Sequence, residues 1–202
     1  MVSAGRRGYV PVGIDVELDA LQATRRVLRD HGLERPVVSA DLTALPFQSG
    51  TFDVVFSYST IQHAHRQSAY RCVEEVHRVL APGGSCVLEF PNRHGVGNVV
   101  RGRSFTHVDE DDHASWCVRY YAVTELERLF LRVFGNFSYV ADCYFGIGVQ
   151  RSDLDMLPWR YKGIVLCSEL LRRWSRRWPL VKKLADSIYV HATKSPSARA
   201  AS

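Results

Sequence analysis

The sequence predicts an α/β fold in which a mainly parallel sheet carries helices on both faces. Three observations support this prediction. Two short apolar runs each end in an aspartate, Asp15 and Asp41, and a third run occupies residues 52–57. A stretch with helical periodicity separates the first two runs. Short runs that are apolar throughout are typical of parallel strands buried on both faces.

The first half of the chain is predicted from these patterns in order. A strand over residues 10–14 ends at Asp15, and an amphipathic helix follows over residues 17–31. The second strand covers residues 37–40, and a turn of polar residues and glycine leads into the strand at 52–57.

The second half is predicted in the same way. Apolar residues at helical spacing predict a helix over 67–80, and the sequence Ala-Pro-Gly-Gly that follows should end it before a strand at 85–90. A helix at 124–134 has a predicted capping box of Thr124 and Glu127. Loosely alternating patterns predict strands at 137–145 and 187–193.

Composition favours one soluble domain over residues 1–194, followed by a disordered tail at 195–202. The chain has 202 residues, of which 46% are hydrophobic and 23% charged. No apolar run approaches the roughly 20 residues that a membrane span needs. Five cysteines without a Cys-x-x-Cys spacing favour reduced thiols and a cytoplasmic location.

Positive charge is concentrated in the segment 157–184, which is predicted to form a helical insertion before the last strand. Two interpretations of this segment stay open. Its arginines are solvated on a helix that packs over the sheet, or residues 159–183 lie on an anionic membrane surface. Nucleic-acid binding is not expected, because the sequence has no recognisable reader motif.

Four short motifs occur in a characteristic order: Gly13-Ile-Asp-Val, Ala40-Asp-Leu, Phe52-Asp-Val-Val and Arg78-Val-Leu-Ala-Pro-Gly-Gly. Together they resemble the class I S-adenosylmethionine-dependent methyltransferases of the broad small-molecule, type 11-like group. The resemblance covers roughly residues 8–145, with a looser similarity to residue 194. It implies a Rossmann-like sheet with an antiparallel C-terminal hairpin, and S-adenosyl-L-methionine as cofactor.

The resemblance also implies roles for residues at the strand ends. Asp15 would accept the ribose hydroxyls of the cofactor, Asp41 would reach the adenine amine, and the backbone of Leu42 would border the ring. The stretch from Ser57 to His63 would lie along the path of methyl transfer. The alternatives are that Asp15 is an ordinary strand-end residue and that Asp41 caps a turn before Thr43.

His63 is the candidate general base, because histidine titrates near neutral pH. The alternative is that His63 packs against the cofactor or caps the next helix. Asn92, Tyr120 and Tyr121 are candidate substrate-side residues, and the segment 93–121 is a candidate lid. The acidic run 109–113 is interpreted as a solvated loop, and no metal site is predicted.

The predicted function is methyl transfer to a small-molecule or lipid-like acceptor. In the resembled family, a strand and a glycine-rich turn precede the strand that ends at Asp15, and residues 1–8 look like the end of the helix after that turn. The sheet is therefore expected to be N-terminally incomplete. A truncated or degenerate non-catalytic relative acting as a binding subunit is the alternative, and a nicotinamide-dependent oxidoreductase ranks third. The acceptor and the oligomeric state are not determined by the sequence.

Overall fold

The computed structural model describes residues 1–97, 118–145 and 158–196, without the side chains of residues 160 and 161. The chain divides into two compact units, Met1–Phe47 and Gln48–Ser202. The acidic run 109–113, most of the candidate lid and the end of the tail lie outside the described residues. The prediction of a single domain over 1–194 stays a prediction.

The first unit contains two helices and a pair of parallel strands. Its elements are α1 (Val2–Arg6), β1 (Gly13–Asp15), α2 (Leu18–Asp30) and β2 (Val37–Ser39). The strands pair in parallel, with Gly13 opposite Val37 and Asp15 opposite Ser39. Leu21, Leu28 and Val37 form its buried core, against which Val2 and Leu33 pack.

The first unit confirms the predicted order of strand, helix and strand, with one correction. The helix and the second strand lie within a residue or so of their predicted bounds, but β1 begins at Gly13 rather than at Val10. Pro11 has no N–H to donate to a neighbouring strand, and Val10 is exposed. The apolar run therefore predicted residues 10–12 as part of the strand, although their backbone does not pair with β2.

The second unit is built on a four-stranded sheet in the order β3-β4-β6-β5. Strands β3 (Phe52–Ser57) and β4 (Leu80–Pro91) are parallel, whereas β6 (Ser187–Thr193) is antiparallel to both β4 and β5 (Ser138–Cys143). The antiparallel pairing of the last two strands confirms the predicted hairpin.

The helix ends just before the Ala-Pro-Gly-Gly sequence, as predicted. That sequence, however, lies within the following strand rather than ahead of it. Helix α3 (Arg66–Val79) passes directly into β4. Phe52 pairs with Leu80 and Val54 with Ser85, so residues 81–84 bulge out of the ladder. Gly83 has a φ of 81°, which favours glycine at the turn.

The predicted capping box of Thr124 and Glu127 is wrong for helix α4 (Val123–Phe134). Its N-cap residue is Ala122, whose N–H donates to the side chain of Glu125 at 3.4 Å. Thr124 therefore lies inside the first turn and cannot cap it. Gly135 ends the helix in the left-handed conformation, with a φ of 72°, as its position predicted.

Two helices, α5 (Trp159–Ser175) and α6 (Pro179–Lys183), occupy the predicted helical insertion. They are attached to β5, where the Tyr144 N–H donates to the Ser168 hydroxyl at 3.0 Å and the Tyr144 hydroxyl to the Val181 carbonyl at 2.9 Å. Among the described residues, no helix combines the length and apolar character needed to cross a membrane.

Candidate functional site

The two aspartates predicted to bind the cofactor lie at the same edge of the first unit. Asp15 is the last residue of β1, and Asp41 follows β2 by two residues. Because the two strands are parallel and in register, with Asp15 opposite Ser39, their carboxyl ends meet at this edge. The Ala40 N–H also donates to the Asp15 carbonyl at 3.1 Å.

Each aspartate uses one oxygen in a local turn. Asp15 Oδ1 accepts from the Glu17 N–H at 3.0 Å, and Asp41 Oδ1 accepts from the N–H and hydroxyl of Thr43 at 2.7 and 2.9 Å. These bonds to Thr43, led by the one from its backbone N–H, lower the pKa of Asp41. The turn-capping interpretation of Asp41 is therefore realised in the structure.

The second oxygen of each carboxylate accepts no hydrogen bond from any described residue, and both side chains are exposed. Each aspartate can therefore keep its turn and still accept hydroxyl or amine donors from a ligand. Leu42, between Asp41 and Thr43, is half-buried. The roles of Asp15, Asp41 and Leu42 in binding the cofactor stay predictions.

In the second unit, the loop after β3 holds the residues predicted to lie near methyl transfer. Ser57 ends β3 opposite Leu88, and a short 3₁₀ turn follows at Ile61–His63. Between them Ser59 has a φ of 53°, a left-handed conformation that is uncommon for residues other than glycine. Such backbone conformations occur at functional sites, where surrounding contacts hold them.

The side chain of Glu89 on β4 contacts this loop at Ser59. Its Oε2 accepts from the Ser59 N–H at 3.0 Å, and the side chain is 4% exposed. Burial raises the pKa of Glu89 to about 7, with a smaller contribution from the nearby Asp142. A carboxyl group with this pKa holds or releases a proton near neutral pH.

Glu89 is not among the site residues predicted from the sequence. It occupies the position of one polar residue in an otherwise apolar strand, Cys-Val-Leu-Glu-Phe. A charged residue in a strand that should be buried on both faces is a signal that could have found it. Its neighbour Asp142 accepts from the Ser187 hydroxyl at 2.7 Å, and burial also raises the pKa of Asp142.

His63, the candidate base, ends the 3₁₀ turn and is half-buried. Its Nε2 lies 3.1 Å from the Gln62 side-chain nitrogen, which also donates to the Ser59 hydroxyl at 2.7 Å. The residue at the N-cap position of α3 is His65, not His63. His63 therefore does not cap the next helix, and its role as base stays a prediction.

Arg119 joins this loop to the segment before α4. Its N–H donates to the Gln62 carbonyl at 2.9 Å, and its guanidinium donates to the His63 carbonyl at 2.9 Å. The same guanidinium lies 3.4 Å from His65 Nδ1. Arg119 thus fixes the backbone on which His63 is carried.

Tyr120 and Tyr121 lie against a group of polar side chains at the start of α3 and α4. Arg66 forms an ion pair with Glu125, and its guanidinium also donates to the Tyr120 carbonyl at 3.2 Å. The Glu125 carboxylate accepts a further hydrogen bond from the Tyr70 hydroxyl. The Arg66 guanidinium lies 5.0 Å from the centre of the Tyr121 ring.

Tyr121 is fully buried, and its hydroxyl has no hydrogen-bond partner among the described residues. Burial raises its pKa to about 12, so the phenol stays protonated at neutral pH. A substrate could contact this hydroxyl only by entering the interior beside Phe90, whose ring centre lies 5.3 Å away.

Asn92 is also buried and has a structural role. Its amide nitrogen donates to the carbonyls of Lys183 and Ala185 at 2.9 and 2.7 Å, and its oxygen accepts from the His94 N–H at 3.1 Å. A contact between this amide and a substrate would have to replace one of these bonds. Within the described ranges, no three His, Cys, Asp or Glu side chains converge as a metal site.

Comparisons with known proteins find similarity to methyltransferases in the first part of the chain. A family model described as a methyltransferase domain matches residues 2–88. Demethylmenaquinone methyltransferase from Thermus thermophilus is 43% identical over 87 residues, which cover 42% of this chain and 38% of that enzyme. The match therefore spans well under half the length of that relative.

A second sequence relative is the glycine/sarcosine/dimethylglycine N-methyltransferase of Actinopolyspora halophila, 39% identical over 72 residues. These cover 35% of this chain and 12% of that enzyme. The crystal structure of a methyltransferase from Methanosarcina mazei superposes with a TM-score of 0.64 at 15% identity, covering 97% of this chain and 87% of that one. At this identity the superposition shows the fold, which is Rossmann-like.

The matched stretch contains the four motifs up to the middle of β4, together with both strand-end aspartates and the loop after β3. Over residues 2–88 the chain is therefore similar to methyltransferase domains, and its fold is the Rossmann-like fold of the superposed methyltransferase.

Proposed function

We propose that this chain transfers a methyl group from S-adenosyl-L-methionine to a small-molecule or lipid-like acceptor in the cytoplasm. The observation that carries the proposal is the pair of exposed aspartates at one edge of adjacent parallel strands, each with an oxygen that accepts no hydrogen bond from the described residues. Ligands of open α/β sheets bind beyond this edge. The relative from Thermus thermophilus is a demethylmenaquinone methyltransferase, which supports a lipid-like acceptor.

The proposed roles follow from what each side chain can accept or donate. Asp15 accepts the ribose hydroxyls and Asp41 the adenine amine, while the backbone of Leu42 borders the ring. When bound, the cofactor supplies an already activated methyl group, so the protein contributes mainly binding and alignment.

Proton transfer from the acceptor is assigned to the loop after β3. His63 is the first candidate base, and Arg119 holds its backbone in place. Glu89 is the second candidate, because its pKa of about 7 allows it to take a proton near neutral pH. Ser57 begins this loop, and Tyr120, Tyr121 and Asn92 remain candidate substrate-side residues.

The test is calorimetric titration of the purified chain with S-adenosylhomocysteine, the product form of the cofactor. We expect measurable binding that Asp15→Ala weakens by about ten- to hundredfold, since a hydrogen bond to a charged group contributes about 1.5–3 kcal/mol. Asp30→Ala is the matched control, because Asp30 is an exposed aspartate at the far end of α2. A folded chain that does not bind, or equal loss in both variants, would contradict the proposal.

A non-catalytic binding subunit is the second candidate function. Strand β3 is the first strand in its sheet order, and its Val54 and Phe56 side chains are 51% and 64% exposed. An exposed apolar strand at the end of its sheet favours pairing with another chain. This candidate predicts association that depends on protein concentration, measured by light scattering, together with no binding of S-adenosylhomocysteine.

A further inference from the structure

Helices α5 and α6 carry an unusual amount of exposed apolar surface. The side chains of Leu166, Leu170 and Trp174 are 45%, 53% and 62% exposed, and those of Trp178 and Leu180 are 62% and 76% exposed. Trp159, at the start of α5, is 84% exposed. Scattered exposed hydrophobic residues are normal, but a contiguous group marks a binding surface.

The helices are fixed by their opposite face, so this exposure is not a sign of a loosely attached segment. Val165, Ser168 and Ser175 are buried, at spacings of three and seven residues along α5. The bonds from Tyr144 to Ser168 and Val181 attach this face to the end of β5. We call the outward side, formed by Trp159, Leu166, Leu170, Trp174, Trp178 and Leu180, the apolar stripe.

Cationic side chains surround the apolar stripe. Arg173, Arg176, Arg177 and Lys183 are exposed, and only one acid, Glu169, occurs between residues 159 and 183. Glu169 is neutralised by Arg172, whose guanidinium lies 2.7 Å from its carboxylate. The positive charge around the stripe is therefore uncompensated within the helices.

An anionic bilayer surface matches both features at once. Tryptophan and leucine side chains enter the interface between headgroups and acyl chains, and arginine and lysine pair with anionic headgroups. Each basic residue near such a surface contributes about 1 kcal/mol. A nucleic acid would use the charge but would leave the leucines and most of the tryptophan surface unburied.

We propose that α5 and α6 form a docking surface for an anionic lipid bilayer, with the apolar stripe entering the headgroup region. The helices lie in the plane of the membrane rather than across it, because neither has the length and apolar character of a span. Docking needs neither cofactor nor acceptor, so this inference does not depend on methyl transfer.

The test is co-sedimentation of the full chain with vesicles of phosphatidylcholine alone and of phosphatidylcholine mixed equally with phosphatidylglycerol. We expect strong binding to the mixed vesicles, weak binding to the neutral ones, and partial loss in high salt. A probe on the exposed Cys167, in a Cys117→Ser background, should shift its emission to shorter wavelength on the mixed vesicles.

Variants separate the contribution of the positive charge from that of the apolar side chains. Arg173→Gln with Arg177→Gln should reduce partition to mixed vesicles by about tenfold or more, as removal of two basic residues predicts. Trp174→Ala with Trp178→Ala should reduce it comparably and remove the probe shift. All four residues are exposed, and far-ultraviolet circular dichroism checks the fold.

The matched control removes two exposed helical arginines elsewhere, Arg26→Gln with Arg29→Gln on α2. We expect this variant to bind vesicles like the wild type. No binding to mixed vesicles would overturn the inference. So would equal loss in the control, or preferential binding to a single-stranded oligonucleotide in competition with the vesicles.

Discussion

Two pairs of acidic residues occupy comparable places in the two units, near the carboxyl ends of strands, but their environments differ. Asp15 and Asp41 are exposed, and among the described residues their carboxylates accept hydrogen bonds only from residues two positions away. In the sheet of the second unit Glu89 is buried and Asp142 is half-buried, and they accept hydrogen bonds from Ser59 and Ser187, respectively. Acidic side chains therefore provide exposed hydrogen-bond acceptors for a ligand in the first unit. In the second unit they form hydrogen bonds within the protein and can be protonated.

The difference follows from where each residue sits in its strand. Asp15 and Asp41 end or follow strands of three residues, so their side chains leave the sheet. Glu89 lies inside the longer β4, opposite Tyr189 of β6, and its side chain stays in the structure. Burial disfavours the charged form of the Glu89 carboxyl group and raises its pKa, whereas the hydrogen bonds from Thr43 favour the charged form of Asp41 and lower its pKa.

The largest effect on stability is expected at Glu89. Because burial raises its pKa from 4.5 to about 7, the folded chain binds a proton there that the unfolded chain has released. The stability contributed by this group is highest below pH 4.5 and is lost as the pH rises toward about 7. A shift of this size corresponds to about 3 kcal/mol.

Glu89→Gln removes this titration and should stabilise the chain at mildly alkaline pH by up to about 3 kcal/mol. Urea unfolding across the pH range measures the effect, and the slope between pH 5 and 7 should flatten. Asp53→Asn, at an exposed acid on β3, is the control and should leave the slope unchanged. A Glu89→Gln chain that is less stable at alkaline pH would show that the ionised form is needed.

A smaller effect is expected at Glu125, whose carboxylate is paired and partly buried. Glu125→Gln removes the charge that Arg66 and Tyr70 contact, and should lower the free energy of unfolding by about 2 kcal/mol. Glu74→Gln breaks the exposed pair with Arg132 and should cost a few tenths of a kcal/mol. Equal shifts of the urea midpoint in the two variants would contradict the expectation that the partly buried ion pair stabilises the fold more than the exposed one.

An effect smaller than that at Glu125 is expected at Asp41. Asp41→Ala loses the bonds from Thr43 and should cost about 1 kcal/mol at neutral pH. Because the folded pKa of Asp41 is lowered, this contribution is present above its ordinary pKa of 3.8 and lost as the pH falls through the folded value. Thermal unfolding should therefore show the two chains converging in acid, and a difference that persists there would contradict this assignment.

Local patterns predicted most of the fold. Strands β3 and β6 have the predicted bounds, and α2 and α3 differ from theirs by one residue at each end. These elements depend on periodicity and on turn residues, both of which are local. The boundaries that differ, at β1, at the start of β4 and at the cap of α4, lie where backbone hydrogen bonding rather than side-chain type decides the boundary.

The candidate site was predictable only where local sequence determines it. Asp15 and Asp41 could be placed because strand ends are visible in the sequence. Asn92 contacts carbonyls 91 and 93 residues away, and Glu89 contacts an N–H 30 residues away. No local pattern encodes such contacts, so the structural role of Asn92 and the support of Ser59 by Glu89 could be found only in the folded chain.

The central claim is that the methyl donor binds at the open aspartates of the first unit. Hydrogen–deuterium exchange of the chain with and without S-adenosylhomocysteine tests it most directly. We predict slower exchange at the N–H groups of Glu17 and Thr43, which the two carboxylates hold, and in the peptides that contain residues 13–17 and 39–43. Unchanged exchange in these peptides at saturating ligand would contradict the account.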